Sequence, residues 1–205
     1  VIDLSKNIQL IEMEEDDNDH SHTHSHDDGE LDPHYWTNPN MAIIMVDTIV
    51  EAFVSIDPDN SNVYFSNGEM LKNDLVTLDQ DIREVLSKTE SDTIISGGHF
   101  AFGYFAKEYN LKHLSPYKGF SPNAEPSPQS ITSLINTVRE KKVNAIFYEE
   151  LIDPKVGRTI VEETGVELLL LHGAHNLSKD EIESGITYIE IMYQNLENLK
   201  LGLGY

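Results

Sequence analysis

The sequence contains no cysteine and few basic residues. The absence of cysteine among 205 residues excludes disulfides, thiolate zinc ligands, iron–sulfur clusters and cysteine nucleophiles, so histidine or carboxylate must hold any metal. Fourteen Lys and Arg against 36 Asp and Glu give a net charge of −22, which would repel a phosphate backbone or an anionic membrane surface. Nucleic-acid binding is therefore all but excluded, and cations are the natural partners.

Long apolar runs are also missing. No stretch approaches the ~20 apolar residues that span a bilayer, and no basic, apolar leader opens the chain. Residues 1–5 resemble the later part of a strand, and the sequence does not begin with an initiator Met. We therefore expect a processed or truncated product. The length still allows one full domain, or one domain plus part of another.

Histidine and acid are concentrated in one segment, residues 12–32. It holds ten acidic residues, no Lys or Arg, and the run HSHTHSH, with histidines at positions 20, 22, 24 and 26. Alternate residues of an extended chain share a face, so pairs of these imidazoles could bind a cation; a solubilising linker is the alternative. In either case the segment is predicted to be a solvated loop.

The remainder of the chain predicts an α/β fold. Asn38-Pro39 begins one helical pattern that ends at Asp57-Pro58, and residues 60–88 form a longer amphipathic one. Strand and helix patterns then alternate, which predicts a four-stranded parallel sheet with helices on both faces. The expected strands are 93–96, 111–115, 144–148 and 167–171, and the expected helices are 100–109, 127–141, 155–164 and 178–201.

Three domain segments follow from this pattern. Residues 1–58 are the remnant of an N-terminal lobe, 59–88 a long linking helix, and 89–205 a C-terminal α/β lobe with its closing helix.

Three of the four predicted strands lead into metal-ligating side chains. The first runs into His99, the third into Glu149 and Glu150, and the fourth into His172 and His175. The carboxyl ends of parallel strands are where ligands bind, and the flanking glycines leave room for a close backbone approach. Imidazole donors favour zinc, with copper, iron and nickel left open.

Three further residues are judged one by one. His34 lies just before the first helix, and its residue type and position are explained equally well by a structural role and by metal binding. His113, inside a predicted strand, is expected to be structural, and Trp36 to be a packing residue.

Five blocks of the sequence resemble a known family. They are DPHYWTNP, GGHFAFGYFAKEY, GFSPNAEPSP, FYEE and the closing LLLLHGAHNLSKDEIESGITYIEIMYQNLENL, and they are similar to the cluster A-I solute-binding proteins of ABC-type zinc and manganese importers, the ZnuA/AdcA/TroA-like family. The resemblance implies two α/β lobes joined by a long helix, with one metal ion in the cleft. It implies His34, His99 and His175 as ligands, with His172 as the rival of His175.

The resemblance also implies the function. We expect an extracytoplasmic component that captures Zn²⁺ and delivers it to the importer's permease, without enzyme activity, at the cell surface or in the periplasm as a lipoprotein whose lipid anchor lies outside this chain. The His-rich acidic insertion is typical of zinc-selective members. The family's first-lobe histidine would precede Val1 and is absent, as is most of that lobe. The alternatives are a manganese-binding homologue, a surface adhesin and a less favoured His₃ zinc hydrolase.

Overall fold

The computed structural model describes residues 1–12, 31–117, 126–141 and 143–205. The histidines at 20, 22, 24 and 26 lie outside the described residues. The strand expected at the start of the chain is wrong, because residues 4–7 form a turn. The carboxylate of Asp3 accepts hydrogen bonds from the Ser5 amide at 3.0 Å and from its hydroxyl at 2.7 Å, a local pairing that favours a turn over a strand.

Two long helices, α1 (Pro39–Ile56) and α2 (Ser61–Leu86), pack against each other. Asn38 caps α1 by accepting the Asn40 N–H, and Pro39 occupies the first turn, where its missing donor is harmless. Both helices are confirmed within one or two residues of their predicted bounds.

Helix α1 is more apolar than we expected from the sequence. Within the described residues it passes the length and composition criterion for a membrane span, with 18 residues and a mean hydropathy of 1.5. Asp47 and Glu51 interrupt its apolar sequence, and α2 packs along it. A core helix of a soluble protein passes the same criterion, so this feature alone does not indicate a membrane-spanning segment.

The described residues form four short parallel strands: β1 (Thr93–Ile95), β2 (Lys112–Leu114), β3 (Ala145–Tyr148) and β4 (Glu167–Leu170). β1 pairs with β2, and β3 pairs with β4. One parallel bridge, between Ser96 and Phe147, joins the two pairs in the order β2-β1-β3-β4. The predicted four-stranded sheet is thus two small sheets that meet at one point, because β1 reaches β3 only at its carboxyl end.

Among the residues with a described structure, five further helices surround the strands. The prediction of a single closing helix is wrong. Gly185, with a φ of 71°, ends the first of two helices, and Thr187 caps the second in a capping box with Glu190. The five helices are α3 (Gly103–Glu108), α4 (Pro128–Lys141), α5 (Lys155–Thr164), α6 (Lys179–Ser184) and α7 (Tyr188–Leu203).

Apolar side chains cover both faces of the strands. Ile94 and Phe147 face one cluster, built with α2 and α7, whereas Ile95 and Ile146 face a second cluster with α4 and α5. Successive residues of a strand point to opposite faces of the sheet. Because helices cover both faces here, the residues on both faces must be apolar. This packing confirms the expected layers and brings the strands' carboxyl ends close to the start of α1.

Candidate metal centre

His34 is fixed by the carboxylate two residues before it. It directly precedes the 3₁₀ turn Tyr35–Thr37, at the start of α1. Asp32 Oδ1 accepts the His34 backbone N–H at 2.9 Å and lies 2.7 Å from the ring Nδ1. Both residues are buried, with 8% and 1% of their surfaces exposed. A carboxylate on Nδ1 favours the tautomer whose Nε2 can bind a metal.

Asp32 is itself held in place by the first residues of the chain. Its backbone carbonyl accepts a hydrogen bond from the Tyr104 hydroxyl at 2.8 Å, and that hydroxyl accepts the Ile11 N–H at 3.0 Å. A Cβ at Gly103 would lie 2.6 Å from Asp32 Oδ2, so only glycine fits beside this carboxylate without a shift. The carboxylate is therefore positioned before any metal arrives.

His99 has the same kind of partner. It follows β1 through Gly97-Gly98, and its Nδ1 lies 3.1 Å from Oε2 of Glu149, which follows β3. Both side chains are largely buried. Strand-end placement thus brings a second imidazole to the site with a carboxylate at its Nδ1.

His175 lies on the loop after β4 and packs on Trp36. Their ring centroids are 5.7 Å apart with 24° between the planes, and the indole N–H donates to the Gly173 carbonyl at 2.8 Å. The Trp36 carbonyl accepts a hydrogen bond from the Tyr188 hydroxyl at 2.8 Å, and burial raises the pKa of that hydroxyl. Trp36 is a packing residue, as expected, and it connects the turn before α1 to the loop after β4.

The His34 ring lies close to the rings of both other predicted ligands. The centroid of the His34 ring is 5.0 Å from that of His99 and 6.4 Å from that of His175. Two imidazoles that share a tetrahedral zinc ion at ~2.0–2.1 Å have centroids about 5 Å apart. The His34 and His99 rings have this spacing, whereas the His34 and His175 rings are about 1 Å farther apart than a shared ion requires. Within the part of the chain that the structure describes, no three His, Asp or Glu side chains are arranged to hold a metal ion without movement.

His172 lies in the protein interior, with 1% of its surface exposed. Its Nδ1 accepts the Ala174 N–H at 2.9 Å, and its Nε2 is 3.3 Å from Oε1 of Glu181, without hydrogen-bonding geometry. Both ring nitrogens therefore face protein groups, which argues against His172 as the rival ligand.

His113 is also buried, behind the site. Its ring stacks on Phe100 with 6° between the planes, and its Nε2 is 3.0 Å from the Ser96 hydroxyl. Burial, with a smaller effect from His99, lowers the pKa of His113 to about 3. The ring is neutral at ordinary pH and acts in packing, as the sequence indicates.

The sequence reasoning missed the partner role of two carboxylates. The sequence pattern places Asp32 in the acidic segment and Glu149 at the sheet edge, without indicating that either contacts a histidine. The signal that could have found Asp32 is its position two residues before His34, a spacing that lets a carboxylate contact both the backbone N–H and the ring.

Parallel strands with helices on both faces, histidines at their carboxyl ends and a long helix beside them are among the features that the resemblance implies for a protein of the solute-binding class. The chain matches the model of ZnuA, "Zinc-uptake complex component A periplasmic", over residues 1–202 and belongs to that family. The family resemblance inferred from the sequence is confirmed. It is a family of metal-binding transport proteins and not of enzymes.

One curated relative is the high-affinity zinc uptake system protein ZnuA of Bacillus subtilis. The two are 41% identical over 200 residues, which cover 97% of this chain and 62% of the relative. This chain therefore spans less than two thirds of that relative's length.

Three solved structures share the fold. The metal-dependent lipoprotein YcdH from Bacillus subtilis is 36% identical, with a TM-score of 0.78 over 98% of this chain and 70% of its own. The Zn(II)-bound ZnuA-like domain of Streptococcus pneumoniae AdcA is 28% identical, with a TM-score of 0.77 over 100% and 70%. A mutant of the laminin-binding adhesin Lmb from Streptococcus agalactiae is 28% identical, with a TM-score of 0.80 over 98% and 70%.

Proposed function

We propose that this chain captures Zn²⁺ outside the cytoplasm for an ABC-type importer, with His34, His99 and His175 as ligands. The observation that carries the proposal is the approach of the His99 and His175 rings to the His34 ring, with centroids 5.0 and 6.4 Å away. An approach of His175 by about 1 Å would give both pairs the spacing of a shared tetrahedral ion.

The bound ion is cargo, so its capture needs no covalent chemistry. Three neutral imidazoles favour zinc over manganese, which prefers oxygen donors. Asp32 and Glu149 raise the basicity of the His34 and His99 rings through their Nδ1 contacts, at 2.7 and 3.1 Å. Tetrahedral zinc needs a fourth donor, for which a water molecule, a histidine of the segment at 12–32 and a neighbouring molecule are the candidates.

The acidic His-rich segment raises the local concentration of zinc and passes the ion to the three histidines. This role affects the rate of loading more than the affinity. Deleting residues 16–28 should slow loading at scarce zinc and leave the dissociation constant nearly unchanged. An equal reduction of the loading rate and of the zinc affinity would contradict this role.

Delivery to a permease and attachment by a lipid anchor complete the proposal. The lipoprotein named among the related structures and the periplasmic family description support an extracytoplasmic location. Expression of this sequence within a full-length protein should restore growth at low zinc to a strain that lacks its zinc-binding component. Failure despite normal expression would contradict delivery.

Adhesion to a host protein is a second candidate, favoured by the fold shared with the laminin-binding adhesin. Laminin binding that survives both chelation and His99→Ala would favour adhesion over transport. Hydrolysis by a His₃ zinc site is not proposed, because the carboxylate nearest to His99 contacts its ring. Ester turnover that requires zinc and His99 would overturn that choice.

Zinc affinity of histidine variants tests the transport proposal. His34→Ala, His99→Ala and His175→Ala should each weaken zinc binding in a competition titration with a chromophoric chelator. Glu162→Gln removes an exposed carboxylate from α5 and serves as the matched control. Because protonated imidazole cannot bind a metal, wild-type affinity should also be weaker at pH 5 than at pH 7.5. Three histidine variants with wild-type affinity would contradict the site.

A further inference from the structure

Side chains hold every backbone N–H of the ligand loop, which we define as residues 172–176. A loop that is not part of a strand or helix needs other partners for its backbone donors. The acceptors are Asn195 Oδ1 for His172 at 2.7 Å, Glu150 Oε2 for Gly173 at 2.8 Å, His172 Nδ1 for Ala174 at 2.9 Å, and Glu150 Oε1 for His175 at 3.2 Å and for Asn176 at 3.4 Å.

Glu150 accepts three of these five hydrogen bonds. Only 8% of its surface is exposed, and a buried carboxylate is stable only when it is hydrogen-bonded. Hydrogen bonds to a charged acceptor are about twice as strong as neutral ones. Glu150 is therefore the side chain that accepts most of the hydrogen bonds from the loop backbone, on both sides of Ala174.

The loop also needs this support because of its conformation. Ala174 has a φ of 52°, in the left-handed region that a residue other than glycine adopts at an energetic cost. The Trp36 indole and the Asn195 amide hold the carbonyls of Gly173 and His172, each at 2.8 Å. The loop is thus shaped from outside, by side chains of three other segments.

We propose that Glu150 is a positioning residue for zinc binding, which places the His175 ring by holding the amides of residues 173, 175 and 176. The proposal rests on the proposed role of His175 as a zinc ligand. Glu150 does not touch the ion. Its neighbour Glu149 acts separately, through His99. Without the Glu150 carboxylate the loop relaxes, and His175 no longer reaches the ion that His34 and His99 hold.

Glu150→Gln tests this role because it keeps the size of the side chain. One of the two acceptor oxygens becomes an NH₂ group that faces backbone N–H donors. Loss of such an outer partner should weaken zinc binding by about 10–100-fold. Glu162→Gln should change nothing. In a His175→Ala background, Glu150→Gln should have no further effect, because the residue acts through His175.

The outcomes separate the two proposals. If the wild type binds no zinc, or His175→Ala binds as tightly as the wild type, the proposed ligand set fails and the role of Glu150 fails with it. If His175→Ala weakens binding and Glu150→Gln does not, only the positioning role is overturned. If Glu150→Gln reduces zinc affinity equally in the wild-type and His175→Ala backgrounds, the positioning role is also overturned.

Hydrogen exchange in the zinc-free wild type gives a second test, which does not need a folded variant. His175 and Asn176 are exposed, yet their amides should exchange slowly because Glu150 accepts their hydrogens. Exchange at the rate of an unprotected loop at residues 173, 175 and 176 would overturn the proposal.

Discussion

The carboxylate of Asp32 provides a graded test of the site. Oδ1 contacts both the backbone N–H and the ring Nδ1 of His34, and Oδ2 is buried without a hydrogen-bond partner among the described residues. Asp32→Asn keeps an oxygen at the position of Oδ1 and removes the negative charge. Asp32→Ala removes both. The two variants therefore separate the effect of charge on the imidazole from the effect of its orientation.

We expect Asp32→Asn to weaken zinc binding by about 10-fold and Asp32→Ala by about 100-fold, which correspond to about 1.4 and 2.7 kcal/mol. Competition titration gives the affinities, with Asp59→Asn, at an exposed position, as the control. Urea unfolding of the zinc-free proteins shows whether folding accounts for the loss. Wild-type affinity in Asp32→Ala, or an equal effect of both variants, would refute the proposed role of the carboxylate.

Three further predictions concern stability and spectroscopy. Burial lowers the pKa of His113 to about 3, so between pH 6.5 and 3 only the unfolded chain takes up this proton, and the free energy of unfolding falls by about 2 kcal/mol from above pH 6.5 to pH 5. In urea unfolding without zinc, His113→Gln should lose less stability than the wild type between pH 7 and 5. Equal losses of stability in the two proteins would contradict this prediction. Gly202→Ala should destabilise by about 1–3 kcal/mol in thermal unfolding, because its Cβ would lie 2.4 Å from Cζ of the buried Phe147; an unchanged melting temperature would count against this close packing. Zinc should change the emission of Trp36, the single tryptophan, since its ring stacks on His175, and unchanged emission at saturating zinc would argue against ion binding beside it.

The long helices were predictable because their signals are local. Asn38-Pro39 gives α1 its cap and first turn, and periodic apolar residues continue through α2. The closing helix was not resolved into two, since a glycine inside an amphipathic pattern does not by itself reveal a left-handed φ at Gly185. The division of the chain at residues 58 and 88 stays a prediction.

The candidate site was only partly predictable. The strand-end rule indicates His99 and the pair His172 and His175. The inclusion of His34 and the preference for His175 needed the family resemblance. The choice between His172 and His175 depends on where each ring points, and the contacts of His172 with the Ala174 N–H and with Glu181 decide that direction only in the folded chain. No periodic sequence pattern reveals that Asp32 and Glu149 contact the histidines. Asp32 contacts His34 in a neighbouring turn, and Glu149 contacts His99 from another segment of the chain.

Location of the bound ion tests the central claim most directly. A crystal grown with zinc, with anomalous scattering recorded at the zinc edge, should show one strong peak at ~2.0–2.1 Å from Nε2 of His34, His99 and His175. A strong peak elsewhere in the molecule, with these three rings unbound to metal, would contradict the claim that this trio of imidazoles holds the ion.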